Sequence, residues 1–352
     1  FAACVLALNL QTRVPEIPGP NARLRAMCYP RFGFAGAHAA IIGAPAAALR
    51  DIMKEVVAAA PELPQSRIGG PWALDAEISR GSYLFDFGHC TEETVDEWIA
   101  LAKTLGLRQI DFHTGTSLRF GDYKPHPELF PRGRASVKAV IDKLHDAGIA
   151  AGLHTYAFFI AKNAKYVTPV PDPRLGKSAT FTLAADLTAD AAEVKVEEPT
   201  GGVSTVTGFF VRNSVTLQID NELITFSGVA KESPHGFTGC VRGAHGTTPA
   251  AHAKGAKVHH LKECFGLFTP DADSTLLAEV AANTADTFNE CGFDMIYLDA
   301  LDGEDILAGG EYGWHYGSKF VFEIAKRLHK PCLLYTSPSP RDRTRCRMPS
   351  SA

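Results

Sequence analysis

From residue 82 onward the chain alternates strand-like and helix-like segments, and this pattern constrains its fold more than any other feature. The strand-like runs are short and apolar, and they read SYLFDF, RQIDFH and IAAGLHTYAFF. Between them lie TEETVDEWIALAKTLG and RASVKAVIDKLHDAG, whose apolar residues recur on one face and which both end at a glycine. Strands joined through helices of this length pair in parallel, so the pattern predicts a parallel sheet of the α/β class.

The alternation resumes nearer the C-terminus with STLLAEVAANTADTFNECG, DMIYLDALDG and a helix near residues 318–328. No GxGxxG motif follows the first strand, and GxxxxGK[ST] does not occur in the sequence. A barrel is therefore favoured over a doubly wound sheet. We predict a partial (β/α)8 TIM barrel with the first four to five strands, whose first part spans residues 81–167 and whose second part spans residues 263–331.

Two regions do not follow the alternation. Residues 168–262 include VTLQIDNELITFSGV, which has a period of two with Asn and Gly at its turns, so we predict an inserted β-rich module. Within it, FTGCVRGAHGTTPAAHAKGAKVHHL resembles a β-hairpin motif, RGxxGTxxxxHxxGxxV, found in modules of phage structural proteins. Residues 1–80 hold one strand-like and one helix-like segment and a turn-rich stretch, and they are predicted to be the remnant of an N-terminal domain with its linker.

The two ends of the chain bear on how much of the barrel is present. Residues 332–352 read CLLYTSPSPRDRTRCRMPSSA, have no apolar period after CLLY, and resemble a translated sequencing adapter. We expect this tail to be non-native and to cut the barrel at its fifth strand. The chain begins at Phe1 without an initiator Met, so its location stays open, with secretion or a periplasmic location among the options.

Charge and composition narrow the classes of partner. The formal net charge is −4, and it becomes −7 without the tail, which leaves 31 Lys and Arg against 38 Asp and Glu. An acidic body argues against nucleic acid as a partner, and no apolar run is long enough to predict a membrane span. The six cysteines before the tail have no metal-ligand spacing, so we expect scattered thiols and predict neither a metal site nor a cofactor. Nothing in the sequence indicates the oligomeric state.

Polar and aromatic residues follow the four strand-like runs, where β/α barrels build their active sites. Carboxylates, histidines and aromatic rings gathered at one barrel mouth suit the binding of sugars, so we expect a carbohydrate substrate. Two aromatic residues in neighbouring segments, Tyr123 and Trp314, are further candidates for stacking on a sugar ring. The candidates at the strand ends are Asp86, His89, Asp111, His113, His154, Tyr156, Asp299, Asp302 and Glu304.

The segment from QIDFHTGTSLRFGDYKPHPELFP to DAGIAAGLH resembles the second and third strand units of the melibiase-like α-glycosidases, the α-galactosidase superfamily. DMIYLDAL resembles their fourth strand, whose last Asp is the nucleophile. The resemblance implies a retaining glycoside hydrolase acting on oligo- or polysaccharide. Asp299 would attack the anomeric carbon, and a carboxylic acid from the sixth strand would protonate the leaving oxygen. That strand would lie beyond the break, so we expect the chain as written to be inactive and poorly soluble.

Two departures from the family pattern do not favour α-galactosidase specificity. They are a single Asp111 on the second strand and Tyr297 two residues before Asp299.

Two other functions stay open. His113, His154 and Asp299 are three nitrogen or oxygen ligands at strand ends, which is compatible with a metal-dependent barrel hydrolase, although HxH and HExxH spacings do not occur. The phage-like hairpin is compatible with a non-catalytic carbohydrate-binding or adhesion protein.

Overall fold

The computed structural model describes residues 1–14, 23–64 and 82–336. Its N-terminal part contains small antiparallel strand pairs and one helix. The strand Ala2–Ala7 pairs with Ala39–Ala44, and Thr12–Arg13 pairs with Met27–Cys28. The predictions made for the stretch around residue 70 and for most of the tail lie outside the described residues. The elements of this part are β1 (Ala2–Ala7), β2 (Thr12–Arg13), β3 (Met27–Cys28), β4 (Ala39–Ala44) and α1 (Ala46–Ala58).

A second group of elements alternates strand and helix, as the sequence predicts. Helix α2 ends at Gly106, whose left-handed backbone (φ 70°) is the conformation that glycine adopts without strain. The elements are β5 (Leu84–Asp86), α2 (Val95–Leu105), β6 (Gln109–His113), α3 (Arg134–Asp146) and β7 (Ala150–Thr155).

The stretch that follows β7 is rich in short antiparallel strands, as expected for the inserted module, whose boundaries stay a prediction. One sheet has the order β11-β10-β14-β8 and the other has the order β12-β13-β9. Between them lies a separate apolar cluster that includes Phe181, Leu217 and Phe237. The strands are β8 (Lys177–Thr182), β9 (Glu193–Lys195), β10 (Thr216–Ile219), β11 (Glu222–Thr225), β12 (Gly228–Ala230), β13 (Gly236–Thr238) and β14 (Lys257–Leu261).

The hairpin motif of this module wraps around one buried carboxylate. Glu222 is fully buried, and its two oxygens accept hydrogen bonds from the Arg242 Nε and Nη2 atoms at 2.8 and 2.6 Å. The backbone N–H groups of Gly243 and Ala250 donate to the same oxygens, and His252 Nε2 lies 2.8 Å from Oε2. Burial favours a higher pKa for Glu222, but the hydrogen bonds from Arg242 and His252 outweigh it and lower the pKa. The Arg, Gly and His of the motif therefore have a structural role here.

The remaining elements return to the alternating pattern. The last helix is longer than the helix predicted near residues 318–328, because it also includes GEYGWHYG. Its backbone departs from helical geometry at Ala308 and Gly309. The elements are β15 (Glu263–Cys264), β16 (Leu267–Phe268), α4 (Leu276–Cys291), β17 (Met295–Leu298), α5 (Asp305–Ala325) and β18 (Leu333–Thr336).

Five of these strands form one parallel sheet in the order β5-β6-β7-β17-β18, which confirms the predicted parallel pairing. Spatial order follows chain order, and the four helices α2, α3, α4 and α5 pack side by side in sequence. Residues at β18 belong to the predicted tail and pair with β17. The fold is thus mixed α/β, and the closure of these strands into a barrel stays a prediction. Among the described residues, we find no helix both long and apolar enough to cross a bilayer.

Candidate functional site

The two faces of the parallel sheet differ in chemistry. Side chains of residues paired across parallel strands point to the same face, and successive residues alternate between faces. One face is apolar, carries Ile110, Leu153 and Ile296, and belongs to the buried core that includes the helices. The other face carries a row of three polar residues, since His113 pairs with His154 and His154 pairs with Tyr297. The row formed by His113, His154 and Tyr297 therefore lies on the face opposite the helices.

Asp299 follows directly after β17, at the edge of this polar row. Its N–H donates to the Thr155 carbonyl at 2.8 Å, and its Oδ1 accepts a hydrogen bond from the Ala300 N–H at 2.9 Å. Its Oδ2 lies 3.4 Å from His154 Nε2. The next residue, Ala300, has φ 58°, a left-handed conformation that is uncommon for a residue with a side chain. A strained turn and two fixed contacts thus hold a half-buried carboxylate at the carboxyl end of a strand.

The two histidines beside Asp299 are stacked and incompletely hydrogen-bonded. Their ring centroids are 5.1 Å apart with nearly parallel planes. Among the described residues, the buried Nδ1 atoms of His113 and His154 have no hydrogen-bond partner. Burial and the neighbouring His154 lower the pKa of His113 to about 4, although the Asp299 charge partly opposes this shift. His113 is therefore neutral at physiological pH.

A second carboxyl, Asp111, lies on the same face one layer further from Asp299. It is fully buried, and its Oδ1 accepts a hydrogen bond of 2.6 Å from Gln109 Nε2. Within the part of the chain that the structure describes, Oδ2 has no partner. Burial raises the pKa of Asp111 to about 7, and the Gln109 hydrogen bond only partly opposes it. Gly152 on the adjacent strand makes room for this carboxyl, because a Cβ atom there would clash with Oδ1.

Asp299 also influences the neighbouring acids and phenols. Burial raises the pKa of Asp302, and the negative charge of Asp299 raises it further. The same two causes raise the pKa of Tyr156 and raise that of Tyr297 to about 12. Asp302 is thus a carboxyl whose protonated form is favoured close to a second carboxylate, while both phenols stay protonated.

Aromatic rings line this site, and most of them are not among the site residues predicted from the sequence. Phe85 lies 4.7 Å from His154 between ring centroids, and Phe87 lies 5.1 Å from His113. Tyr156 contacts a further group of rings at 4.9 to 6.4 Å. The strand-like run SYLFDF contains residues 85 and 87, but its pattern does not show which of its two faces carries the site. The rings around Tyr156 are Phe120, Phe209 and Phe265.

Two predicted substrate contacts are wrong, because their side chains lie on the helix side of the sheet. Asp86 is fully buried, and its Oδ1 accepts hydrogen bonds from three backbone N–H groups of the following loop. Tyr123 is also fully buried, and its hydroxyl bonds to the hydroxyls of Thr155 and Thr284. Asp86 caps a loop, and Tyr123 joins a strand to a helix.

The prediction for Trp314 is wrong as well. This residue lies inside α5, it is 5% exposed, and its Nε1 donates to the Glu311 carbonyl. Its ring packs against Tyr29 and Phe32 of the N-terminal part, with centroids 6.1 and 5.7 Å away. Trp314 thus packs in the interface between the N-terminal part and α5, where it cannot stack on a ligand.

Two other candidates lie in the segments that follow β5 and β17. His89 is exposed in the loop after β5. Glu304 is half-buried at the start of α5, where its Oε2 atom is buried against the position of Gly317. A Cβ at 317 would clash with that oxygen, so the glycine makes this close approach possible. The substrate contacts proposed for these two residues stay predictions.

The predicted candidates that the sheet does bring together are five residues on or next to the polar row. They are Asp111, His113, His154, Tyr156 and Asp299. Within residues 1–14, 23–64 and 82–336, no group of three or more His, Cys, Asp or Glu side chains is arranged to hold a metal ion. This finding does not support the metal-dependent alternative for His113, His154 and Asp299. The seven described cysteines are free thiols.

Comparison with known proteins gives a partial likeness of fold. No protein-family model matches the chain, and no curated protein matches it. Over 73% of its length, the chain is similar to 26% of an α-galactosidase from Lactobacillus brevis, at 12% identity and a TM-score of 0.38. The similarity is to α-galactosidases.

Two further solved structures belong to the same class of enzyme. The α-galactosidase from Thermus thermophilus in complex with stachyose matches 73% of this chain and 40% of its own, at 14% identity and a TM-score of 0.39. The α-galactosidase from Geobacillus stearothermophilus in complex with raffinose matches 73% of this chain and 27% of its own, at 10% identity and a TM-score of 0.39. The chain thus spans less than half the length of each of these three proteins.

Proposed function

We propose that this chain contributes the nucleophile and part of the sugar-binding site of a retaining glycoside hydrolase. The observation that carries the proposal is the position of Asp299, a half-buried carboxylate at the carboxyl end of a parallel strand, with Oδ2 3.4 Å from His154 Nε2. A nucleophilic carboxylate needs a fixed orientation and one oxygen directed at the substrate. The Ala300 N–H holds Oδ1, which leaves Oδ2 on the side of the histidines.

In the proposed reaction, Asp299 Oδ2 forms a bond to the anomeric carbon while the bond from that carbon to the leaving oxygen breaks. A carboxylic acid protonates the leaving oxygen, and water later hydrolyses the glycosyl-enzyme ester. The rings of His113 and His154 lie beside Asp299 on the same face of the sheet, so they are suited to contact sugar hydroxyls. The rings of Phe85 and Phe87 offer apolar faces for the sugar.

The nucleophile can be tested without assigning the acid. A fluorinated glycosyl fluoride has a leaving group that departs as fluoride without protonation, and its added fluorine slows hydrolysis of the resulting ester. We expect a panel of such sugars, in gluco, galacto and manno configurations and both anomers, to label the chain. Mass spectrometry of the digested protein should place the added mass on the peptide that contains Asp299.

An Asp299→Asn variant should give no adduct, and a matched Asp294→Asn variant should be labelled like the wild type. Asp294 precedes the same strand at its other end, where its carboxylate contacts Lys330 and the Ala151 N–H. Labelling of the Asp299→Asn variant at another carboxylate would show that Asp299 is not the nucleophile. Oligosaccharide binding by the wild type with no labelling by any sugar would favour the non-catalytic carbohydrate-binding alternative.

A further inference from the structure

Two adjacent phenylalanines of the inserted module are largely exposed to solvent. Phe209 is 51% exposed and Phe210 is 75% exposed, and their ring centroids are 5.0 Å apart. An exposed pair of aromatic rings is informative, because large apolar side chains that touch one another in solvent mark binding surfaces more often than isolated ones do.

These two rings are presented by a tight turn. The Val211 N–H donates to the Gly208 carbonyl at 3.0 Å, so Phe209 and Phe210 occupy the two central positions of a four-residue turn. Side chains at the centre of such a turn project away from the backbone.

Contacts on both sides fix this turn to the rest of the molecule. The Phe265 N–H donates to the Phe209 carbonyl at 2.7 Å. Arg212 Nε donates to Asp305 Oδ1 at 2.7 Å, which joins the turn to the start of α5. The two rings are therefore exposed on an anchored backbone, so that little ordering would accompany binding.

The turn is continuous with the site at the end of the sheet. The Phe209 ring lies 6.4 Å from the Tyr156 ring, and Phe265 bridges them at 5.3 and 5.9 Å. Tyr156 in turn lies 5.9 Å from His113, and it is close enough to Asp299 to feel its charge. A continuous row of rings thus runs from the proposed nucleophile to the inserted module.

We propose that Phe209 and Phe210 form a platform on which a second or later sugar ring of an oligosaccharide stacks while its reacting sugar lies at Asp299. This inference rests on the proposed function of that site. It assigns the inserted module a direct part in substrate binding, and it makes a chain of several sugars, rather than a single sugar, the preferred ligand.

The surroundings of the platform favour a sugar over a protein partner. Protein interfaces have few charged residues in their buried centre. Here two carboxylates, Asp302 and Asp305, lie next to the turn. A sugar ring has an apolar face for the aromatic ring and hydroxyls at its rim for the charged groups, so it matches this combination.

The test compares binding of tetrasaccharides and monosaccharides by isothermal titration calorimetry on the full chain. The probes are stachyose, maltotetraose, cellotetraose and xylotetraose, each with its terminal monosaccharide. We expect at least one tetrasaccharide to bind more tightly than its monosaccharide. In a Phe209→Ala, Phe210→Ala variant, tetrasaccharide binding should weaken by on the order of tenfold, while monosaccharide binding stays unchanged.

Two controls separate this outcome from general damage and from failure of the proposed function. Val241→Ala removes an exposed apolar side chain that pairs with β11 of the same module, and it should leave both affinities unchanged. Labelling of Asp299 by a fluorinated monosaccharide should persist in the double variant. Two results would overturn the platform while Asp299 is still labelled. In the first, the double variant keeps the wild-type preference for tetrasaccharides. In the second, the wild type itself does not prefer tetrasaccharides to monosaccharides.

A second copy of this chain is the competing occupant of the two rings. Sedimentation velocity measures this directly, because a dimer that dissociates in the double variant would show that the rings bind protein. We expect the wild type and the variant to have the same sedimentation coefficient over the concentrations used for binding.

Discussion

Two buried clusters in this molecule contain a carboxylate and histidine, and they differ in how completely their polar atoms are paired. In the inserted module, both oxygens of Glu222 accept hydrogen bonds, and Arg242 and His252 face them. At the end of the parallel sheet, Asp111 and the two stacked histidines each retain a buried atom without a partner among the described residues. The two clusters are buried to a similar extent, but they differ in how many of their polar atoms have a hydrogen-bond partner.

The difference separates stabilising from functional polar groups. A buried polar group without a partner costs on the order of 1–3 kcal/mol, so each such group is a candidate for contact with a ligand, a water molecule or an ion. A fully paired network instead holds its own fold together. On this basis, the Glu222 cluster stabilises the module, and Asp111, His113 and His154 are candidates for ligand contact; Thr216 and Gln218 of the module also have buried atoms without a partner among the described residues. Substitutions in the two clusters should therefore have opposite consequences.

The largest effect is expected from Glu222→Ala. This change leaves the Arg242 guanidinium buried without its carboxylate, and loss of one partner of a buried pair costs about 3–5 kcal/mol of unfolding free energy. Urea unfolding followed by circular dichroism measures the loss. Asp142→Ala, which removes an exposed partner of Lys138 on α3, should cost less than about 1 kcal/mol. A Glu222→Ala loss no larger than that of the control would contradict the structural role.

Asp111→Asn is expected to have an intermediate, pH-dependent effect. The folded state raises the pKa of Asp111 from 3.8 to about 7, so the carboxyl contributes its full stability below pH 4 and loses this contribution as the pH rises to about 7. The wild type should therefore become less stable relative to the variant across this window, by up to about 1.4 kcal/mol per pH unit. Parallel urea titrations at pH 4.5, 5.5 and 6.5 check the trend, and a constant difference would refute it.

The smallest effect on stability is expected from His113→Phe. The phenyl ring preserves the stacking with His154 and removes a buried nitrogen that has no partner among the described residues, so unfolding free energy should change by less than about 1 kcal/mol. Labelling of Asp299 by the fluorinated sugar should nevertheless slow, because a hydrogen-bonding group is lost from the site. A destabilisation as large as that of Glu222→Ala would mean that His113 has a structural role. The two clusters would then not differ in function.

The sequence predicts the parallel sheet and part of the site because both depend on local patterns. Alternating strands and helices specify parallel pairing, and the residue after a buried strand lies at its carboxyl end, so Asp299 and His154 could be found by position. The face of a side chain is harder to predict. A strand that is buried on both sides has no polar face, so SYLFDF does not reveal that Phe85 and Phe87 share the face of the site while Asp86 lies behind it.

Long-range contacts account for the other differences. Tyr123 can lie in the core because its hydroxyl forms hydrogen bonds with two threonine hydroxyls from separate elements. Trp314 is in a helix although three glycines surround it, because Gly313 and Gly317 allow Glu304 to pack closely against α5. The platform of Phe209 and Phe210 depends on Phe265 and Asp305, which lie more than fifty residues away along the chain. None of these contacts has a local sequence pattern.

The close fit of Gly152 against Asp111 has a consequence for how this sheet can change over evolution. Any side chain at position 152 would occupy the space of the Asp111 carboxyl, so the two positions cannot vary independently. Alanine at 152 would require the acid at 111 to move, shorten or be lost, and Met295 Cε would have to move as well. Homologous chains should therefore show correlated substitution at this pair, with the small residue and the buried acid inherited together or lost together.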